Sequence, residues 1–192
     1  MSDAGTLEQR INSLHEELAA KKKELFELMK QEGKVVIDNY ELLDREGNKV
    51  TVDKLFGDAD TLYVIQNMGK SCNYCMLWAD EINGILHHLE SVAPVVLASS
   101  DEPDVMAEFA DQRKWRFKLV STAQSKFKQA LGFETSDGAP QPGVSILKKD
   151  EDGQIYQYSS APFGPGDSFC GMWSFIDLLP EEESQWAPKK AY

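Results

Sequence analysis

The sequence predicts an α/β domain, with a mostly parallel central sheet, helices on both faces and an N-terminal helical extension. Three observations carry this. Short β-rich runs alternate with segments of helical periodicity from Gly33 onward. Several of those runs are almost continuously apolar, as strands buried on both faces are. The first 33 residues instead hold one long helical stripe, and the period changes at Gly33. With 192 residues, 42% of them hydrophobic, the chain can bury a full core and is not of disordered composition.

Residues 6 to 32 read as one helix. Leu7, Ile11, Leu14, Leu18, Leu25 and Leu28 recur at spacings of four and three, with Lys21 in the one polar gap. Thr6 and Gln9 match a capping box, and Gly33 supplies a stop. Two readings of the stripe are open: packing on its own domain, or a coiled-coil seam that joins two chains.

Val35 to Ile37 then begins an extended stretch. Tyr40 to Leu43 and Lys49 to Val52 read as a hairpin across Asp44-Arg45-Glu46-Gly47-Asn48. Asp53 to Gly57 gives a short helical turn. Thr61 to Gln66 is apolar enough for a central strand. A helix follows over Asn73 to Glu90, with Cys75, Ala79, Ile82, Leu86 and Leu89 on one face. Pro94 to Ala98 is a second strand, Asp101 caps a helix through Phe109, and Phe117 to Val120 is a third strand. Phe127 and Leu131 mark a helix stopped at Gly132. Gly143 to Leu147 and Gln154 to Tyr158 form a hairpin at an antiparallel edge. Met172 to Leu179 is the last helix, ended by Pro180. The expected division is a helical extension over 1–33, a domain over 34–180 and an irregular tail over 181–192.

Composition narrows the function. A formal net charge of −12 argues against a phosphate-neutralising surface for nucleic acid. It also disfavours the approach of small anionic thiols such as glutathione. No apolar run approaches the roughly 20 residues of a membrane span, so no membrane partner is expected. Met1 to Leu18 carries charges every few positions and no apolar core, unlike a signal peptide. The expected compartment is the cytoplasm, where thiols are held reduced. Three cysteines are too few for a disulfide scaffold and point to local chemistry.

Two of those cysteines lie in Cys72-Asn73-Tyr74-Cys75, between the strand ending at Gln66 and the helix starting at Asn73. Unpaired N–H groups and the positive end of a helix dipole stabilise a thiolate at such a position. Lys70, two residues earlier, adds positive charge. Cys75 falls one turn on, where an i,i+3 neighbour reaches Cys72. One thiol then attacks a disulfide and the other resolves the mixed disulfide. Three readings stay open: this exchange chemistry, inert burial of two small side chains, or half of a metal site. His87 and His88 lie about 18 Å along the same helix from Cys75, out of reach unless the helix breaks near Gly84. Cys170 is the other soft ligand, and three sulfurs still need a fourth partner.

The chain resembles the thioredoxin superfamily, and within it the peroxiredoxin-like branch. The stretch Leu43 to Gly57 is similar to the hairpin that precedes the core there, and the resemblance covers residues 34 to 179. A closer resemblance is to a thioredoxin-like bacterial family of unknown function. It rests on Met68-Gly69-Lys70-Ser71-Cys72-Asn73-Tyr74-Cys75-Met76-Leu77-Trp78-Ala79-Asp80, on Pro142-Gly143-Val144-Ser145, and on Gly164-Pro165-Gly166-Asp167 with Leu178-Leu179-Pro180 beyond. The resemblance implies a thioredoxin-like fold and a cis-proline at Pro142, which would shape a substrate groove. Three features depart from it. Ser71 stands where thioredoxin has a Trp, and the Trp here is Trp78. Gly69 stands where peroxiredoxins carry a Thr, so peroxidase activity is not expected. Cys170 has no thioredoxin counterpart, and is read as buried rather than as a third reactive thiol.

The combined expectation is a thiol-disulfide oxidoreductase with Cys72 as nucleophile and Cys75 as resolving thiol. Lys70, Trp78, Pro142 and Cys170 are the supporting residues. Its partner is a protein or small-molecule thiol or disulfide, no separate cofactor or metal is called for, and the N-terminal helix is a candidate homodimer element. The alternatives are a non-catalytic binding or assembly module and a Cys-ligated metal site.

Overall fold

The computed structural model describes residues 5–31 and 34–191. The chain divides into two compact units, Met1–Gly33 and Lys34–Tyr192. The described residues of the first hold one helix, α1 (Leu7–Gln31). Its start is capped reciprocally: Thr6 N–H donates to Gln9 Oε1 at 2.8 Å, and Gln9 N–H donates to Thr6 Oγ1 at 3.3 Å. These bonds satisfy donors that a helix start leaves unpaired. Its leucine stripe is exposed along its length. Gly33, the expected stop, lies outside the described residues.

The second unit is built on one eight-stranded sheet. Its elements are β1 (Val35–Val36), β2 (Glu41–Asp44), β3 (Lys49–Thr51), α2 (Val52–Leu55), β4 (Thr61–Asn67), α3 (Asn73–Glu90), β5 (Val95–Ser99), α4 (Pro103–Arg113), β6 (Lys118–Ser121), α5 (Phe127–Ala130), β7 (Gly143–Lys149), β8 (Ile155–Pro162) and α6 (Met172–Ile176). The order across the sheet is β1-β8-β7-β4-β5-β6-β2-β3. Only β4, β5 and β6 run parallel to one another. The flanking pairs are antiparallel. The sheet is therefore mixed rather than mostly parallel: both hairpins join the parallel centre at its edges and extend it antiparallel.

Strand alternation sorts the core into two faces. On one, Leu62 and Val64 of β4, Val96 and Ala98 of β5 and Val120 of β6 pack with Val52 and Leu55 of α2, and with Phe127, Leu131 and Phe133. The intervening residues Ile65, Leu97 and Leu119 point the other way and are also buried. There α3 contributes Cys75, Met76, Ala79, Ile82 and Leu86, and α4 contributes Met106 and Ala110.

Two hairpins use the same turn chemistry. Asp44 accepts from the N–H groups of Glu46 and Asn48, and Asp150 accepts from those of Asp152 and Gln154. Each turn then needs a left-handed residue, supplied by Gly47 and Gly153, both at φ +81°.

Three expectations about helices and turns change. Asp101 does not cap α4. Glu102 holds the N-cap position with Pro103 beginning the helix, a place where a missing N–H costs nothing. The last helix ends at Ile176, because Leu178 and Leu179 are exposed and supply no buried stripe to continue it. The Gln141–Pro142 bond is trans, since no described peptide bond is cis. Gln141 N–H donates to Phe133 O at 2.8 Å and Phe163 N–H to Pro142 O at 3.0 Å. Pairing on both sides thus carries an extended chain through the proline into β7.

Among the described residues, no helix is long and apolar enough to cross a membrane.

Candidate functional site

Strand β4 is the seven-residue run that delivers the site. Its last four positions, Val64 to Asn67, are all buried, although the final two are polar: Gln66 and Asn67 are 1% and 4% exposed. Past its end, the Asn67 side chain accepts the Gly69 N–H at 2.7 Å and turns the chain. Gly69 has φ +98°. A Cβ built there would lie 2.5 Å from Asp101 Oδ1, so glycine is required for space as well as for backbone conformation. Asp101 Oδ2 accepts the next N–H, that of Lys70, at 2.6 Å. The loop before the cysteines is thereby tied to the end of β5.

Cys72 is the N-cap of α3, with φ −90° and ψ 106°. Its Sγ accepts the Cys75 N–H at 3.1 Å. This is the capping bond that Ser or Asp usually makes, here made by sulfur. Cys72 is half-buried and Cys75 buried, and all three cysteines are free thiols. The Cys72 thiol is lowered from 9.0 to about 6. The largest cause is the hydrogen bond that the Cys75 thiol donates to it. Burial opposes this, and the N–H groups of Cys75 and Tyr74 support it. Cys75 is pushed strongly up, first because its proton serves that bond and then because it is desolvated. The two thiols are thus driven apart, one toward thiolate and the other toward a held proton.

The supporting residues fall in different places. Lys70 is exposed; its backbone N–H anchors the loop, and its charge is not among the causes that lower Cys72. Pro142 is half-buried beside the site, because Gly143 pairs with Gln66 at the end of β4. Gly143 itself admits no side chain: a Cβ would lie 2.2 Å from the Phe133 ring and 2.5 Å from Ala161 O. Trp78 is buried on α3, with ring contacts to Tyr74, Phe163 and Trp173. It braces the helix and offers no exposed face to a partner.

Cys170 stands apart. It is 3% exposed, and its thiol is pushed up to about 12 by burial and by its hydrogen bond to Glu81. Glu81 also accepts the Gly171 N–H at 2.7 Å. Glu81 is six residues, about 9 Å, along α3 from Cys75, so this contact holds Cys170 toward the middle of the helix. The His87–His88 doublet lies further on, exposed, on a helix that runs unbroken through Gly84. Among the described residues, no three His, Cys, Asp or Glu side chains are grouped to hold a metal ion.

A further residue belongs to the site, and the sequence reading missed it. Lys128 of α5 is 3% exposed. Its Nζ donates to Asn67 O at 3.1 Å, Gln66 Oε1 at 3.3 Å and Ala98 O at 3.4 Å. Those acceptors sit at the ends of β4 and β5, below the cysteine loop. Gln66 in turn donates to Ser145 Oγ at 3.2 Å. A lysine in a one-turn helix between Phe127 and Leu131 carries no periodic signal of burial, so only the packing reveals it.

Solved structures similar to this chain include peroxiredoxins. Peroxidoxin BcpB from Mycobacterium tuberculosis is 18% identical, with 66% of this chain and 82% of that one covered at a TM-score of 0.54. Peroxiredoxin Q from Xanthomonas campestris is 15% identical, with 71% and 85% covered at 0.55. Reduced Prx3 from Vibrio vulnificus, in complex with H2O2, is 13% identical, with 75% and 96% covered at 0.57. These likenesses establish a thioredoxin-like, peroxiredoxin-type fold. No curated protein matches the sequence significantly. The model of a family described as a bacterial protein of unknown function (DUF899) matches residues 6–191, and the chain belongs to that family.

Proposed function

We propose that this chain is a thiol-disulfide oxidoreductase. The observation that carries the reading is the arrangement at the start of α3, where Cys72 Sγ caps the helix by accepting the Cys75 N–H at 3.1 Å, with the neighbouring Cys75 thiol lowering it further. That arrangement prepares one sulfur to attack and leaves the other protonated within reach. The Cys72 thiolate attacks a substrate disulfide, a Cys72–substrate S–S bond forms, and one substrate thiolate leaves. Cys75 loses its proton and attacks Cys72 Sγ. The Cys72–Cys75 bond forms, the mixed disulfide breaks and the second substrate thiolate leaves. Two electrons pass from the dithiol to the substrate, and the same steps run backward when the protein oxidises a dithiol. No separate cofactor enters.

The redox character of the peroxiredoxin-type relatives supports this class of chemistry. Peroxide itself is not the proposed substrate. A Thr at position 69 would need its Cβ where the Asp101 carboxylate lies, so the hydroxyl expected of a peroxidase has no place. The proposed partner is a protein or small-molecule thiol or disulfide in the cytoplasm. The net charge of −12 favours weakly charged or basic partners over anionic ones.

The test is to trap the intermediate. Cys75→Ser should accumulate a mixed disulfide at Cys72 on exposure to a small disulfide, and wild type should not. A Cys75→Ser protein that stays free, or that is modified at Cys170, sinks the assignment and leaves a fold used for binding alone.

A further inference from the structure

Lys128 is the one buried cation in the described sheet domain whose ammonium is held entirely by uncharged oxygens, those of Asn67, Gln66 and Ala98. No carboxylate forms an ion pair with it among the described residues. Glu134, just past α5, acts on it only at longer range. The other groups around it, Gln66, Asn67 and Ser145, do not titrate. A buried positive charge without a counter-charge is costly and is normally paired. Cys75 belongs to α3, across the end of β4 from Lys128, and each of the two acts electrostatically on the other. Asn67 joins them physically: its carbonyl accepts from Lys128, and its side-chain amide lies 3.5 Å from Cys75 O. Cys75 becomes an anion at one moment only, when it resolves the mixed disulfide.

From this placement we infer that Lys128 is the counter-charge of the Cys75 thiolate, and that it makes the second, resolving step of the exchange run near neutral pH. The inference rests on the oxidoreductase reading and adds the group that reading lacks. Cys75 is held protonated by burial and by its bond to Cys72, so a base or a cation must favour its ionised form. Once Cys72 is engaged in a mixed disulfide it no longer accepts the Cys75 thiol as a thiolate does, and the proton is released for transfer. With Lys128 charged, loss of the Cys75 proton to solvent leaves the thiolate in the field of the ammonium. With Lys128 neutral, the amine takes a proton from solvent as Cys75 releases its own, and the same pair of charges is reached. The thiolate then attacks Cys72 Sγ, the substrate sulfur leaves as thiolate, and a Lys128 that took up a proton releases it to solvent. Burial holds the Lys128 ammonium down to about 8, which lets it serve in either form close to neutrality. Lys128 acts through Cys75 and is a positioning residue, not a nucleophile.

The test uses the full chain and the aromatic disulfide 5,5′-dithiobis(2-nitrobenzoate) in stopped flow. The first thionitrobenzoate released reports attack by Cys72, and the second reports resolution by Cys75. Lys128→Met should slow the second phase at least about tenfold more than the first. Lys128→Arg, a permanent cation, should restore most of the second-phase rate. Wild type supplies a test that needs no variant to fold: its second-phase rate should rise with pH and level off above about 8 to 9. A second phase that climbs tenfold per pH unit to pH 10, equal slowing of both phases, or Arg behaving as Met would overturn the inference. Release of only one thionitrobenzoate by wild type would instead overturn the oxidoreductase reading itself, so the two failures are distinguishable.

Discussion

Alkylation of Cys72 by iodoacetamide, followed from pH 5 to pH 9 and resolved by peptide mass, probes the electrostatics of the site one sulfur at a time. At pH 7 a thiol at about 6 is about nine-tenths thiolate, and one at 9.0 is about one-hundredth, a difference of roughly 90-fold. Lower basicity also makes the sulfur a poorer nucleophile. With a Brønsted slope of about 0.4 to 0.5, three pH units cost about 15- to 30-fold. The net expectation is Cys72 alkylating only about 3 to 6 times faster than an unperturbed exposed cysteine. Against Cys170, pushed up to about 12, the same arithmetic gives a ratio of about a hundred or more before obstruction by burial is added. The pH profile is sharper than the absolute rate. It should rise to a midpoint of about 6 and stay flat above pH 7. Because the Cys75 thiol is the largest cause, Cys75→Ala should move that midpoint up by about one pH unit or more, with the backbone N–H bonds keeping it below the ordinary value. A wild-type rate still climbing above pH 8, or a Cys75→Ala profile that overlays wild type, would refute the reasoning.

Further expectations follow from the same geometry. Gly69→Ala places a Cβ 2.5 Å from the Asp101 carboxylate at φ +98°, and should destabilise the protein by about 2 to 3 kcal/mol in urea unfolding; unchanged stability would mean that the loop is not clamped. Lowering Lys128 from 10.5 to about 8 means the folded state sheds its proton first, so charging this group costs roughly 3 kcal/mol at pH 7 and the cost fades from about pH 8 to 10.5. Lys128→Met removes that cost and loses three hydrogen bonds worth about 1 kcal/mol each, so its stability at pH 7 should lie within about 1 kcal/mol of wild type, with wild type gaining on it above pH 8. A loss beyond about 3 kcal/mol would show that the ammonium is a structural anchor. We extend the proposal to the α1 stripe as a homodimer seam: Leu18→Asp should delay elution on size exclusion to that of a monomer and leave the thiol reactions of Cys72 intact, and an unchanged elution volume refutes the seam.

What the sequence reveals here is what local pattern encodes. Thr61 to Asn67 announces a buried strand by its composition, and Asn73 to Glu90 a helix by its period. Thr6 with Gln9, and the Asp44 and Asp150 turns with their glycines, are read from residues a few positions apart. The cysteine pair belongs to the same class, since a helix start and an i,i+3 spacing are local facts. The rest depends on contacts between distant segments. Asp101 resembles a helix cap on local rules, yet its carboxylate is taken by the Lys70 N–H, 31 residues away. Lys128 looks like any exposed lysine until the ends of β4 and β5 close over it. Both hairpins are legible, but where the first one joins the sheet is not, for the same reason: no periodicity in Glu41 to Thr51 states that β2 pairs with β6. Pro142 shows the reverse case, where the resemblance implies a cis bond and the pairing of Gln141 and Pro142 with their neighbours keeps the chain extended.

The measurement that bears most directly on the central claim is a count of free thiols by mass spectrometry, with peptide mapping, after equilibration in a graded series of dithiol and disulfide buffers. The account predicts a single two-electron transition that converts three free thiols to one, with Cys72 linked to Cys75 and Cys170 left free. A link from either residue to Cys170, or three free thiols across the whole series, would contradict it.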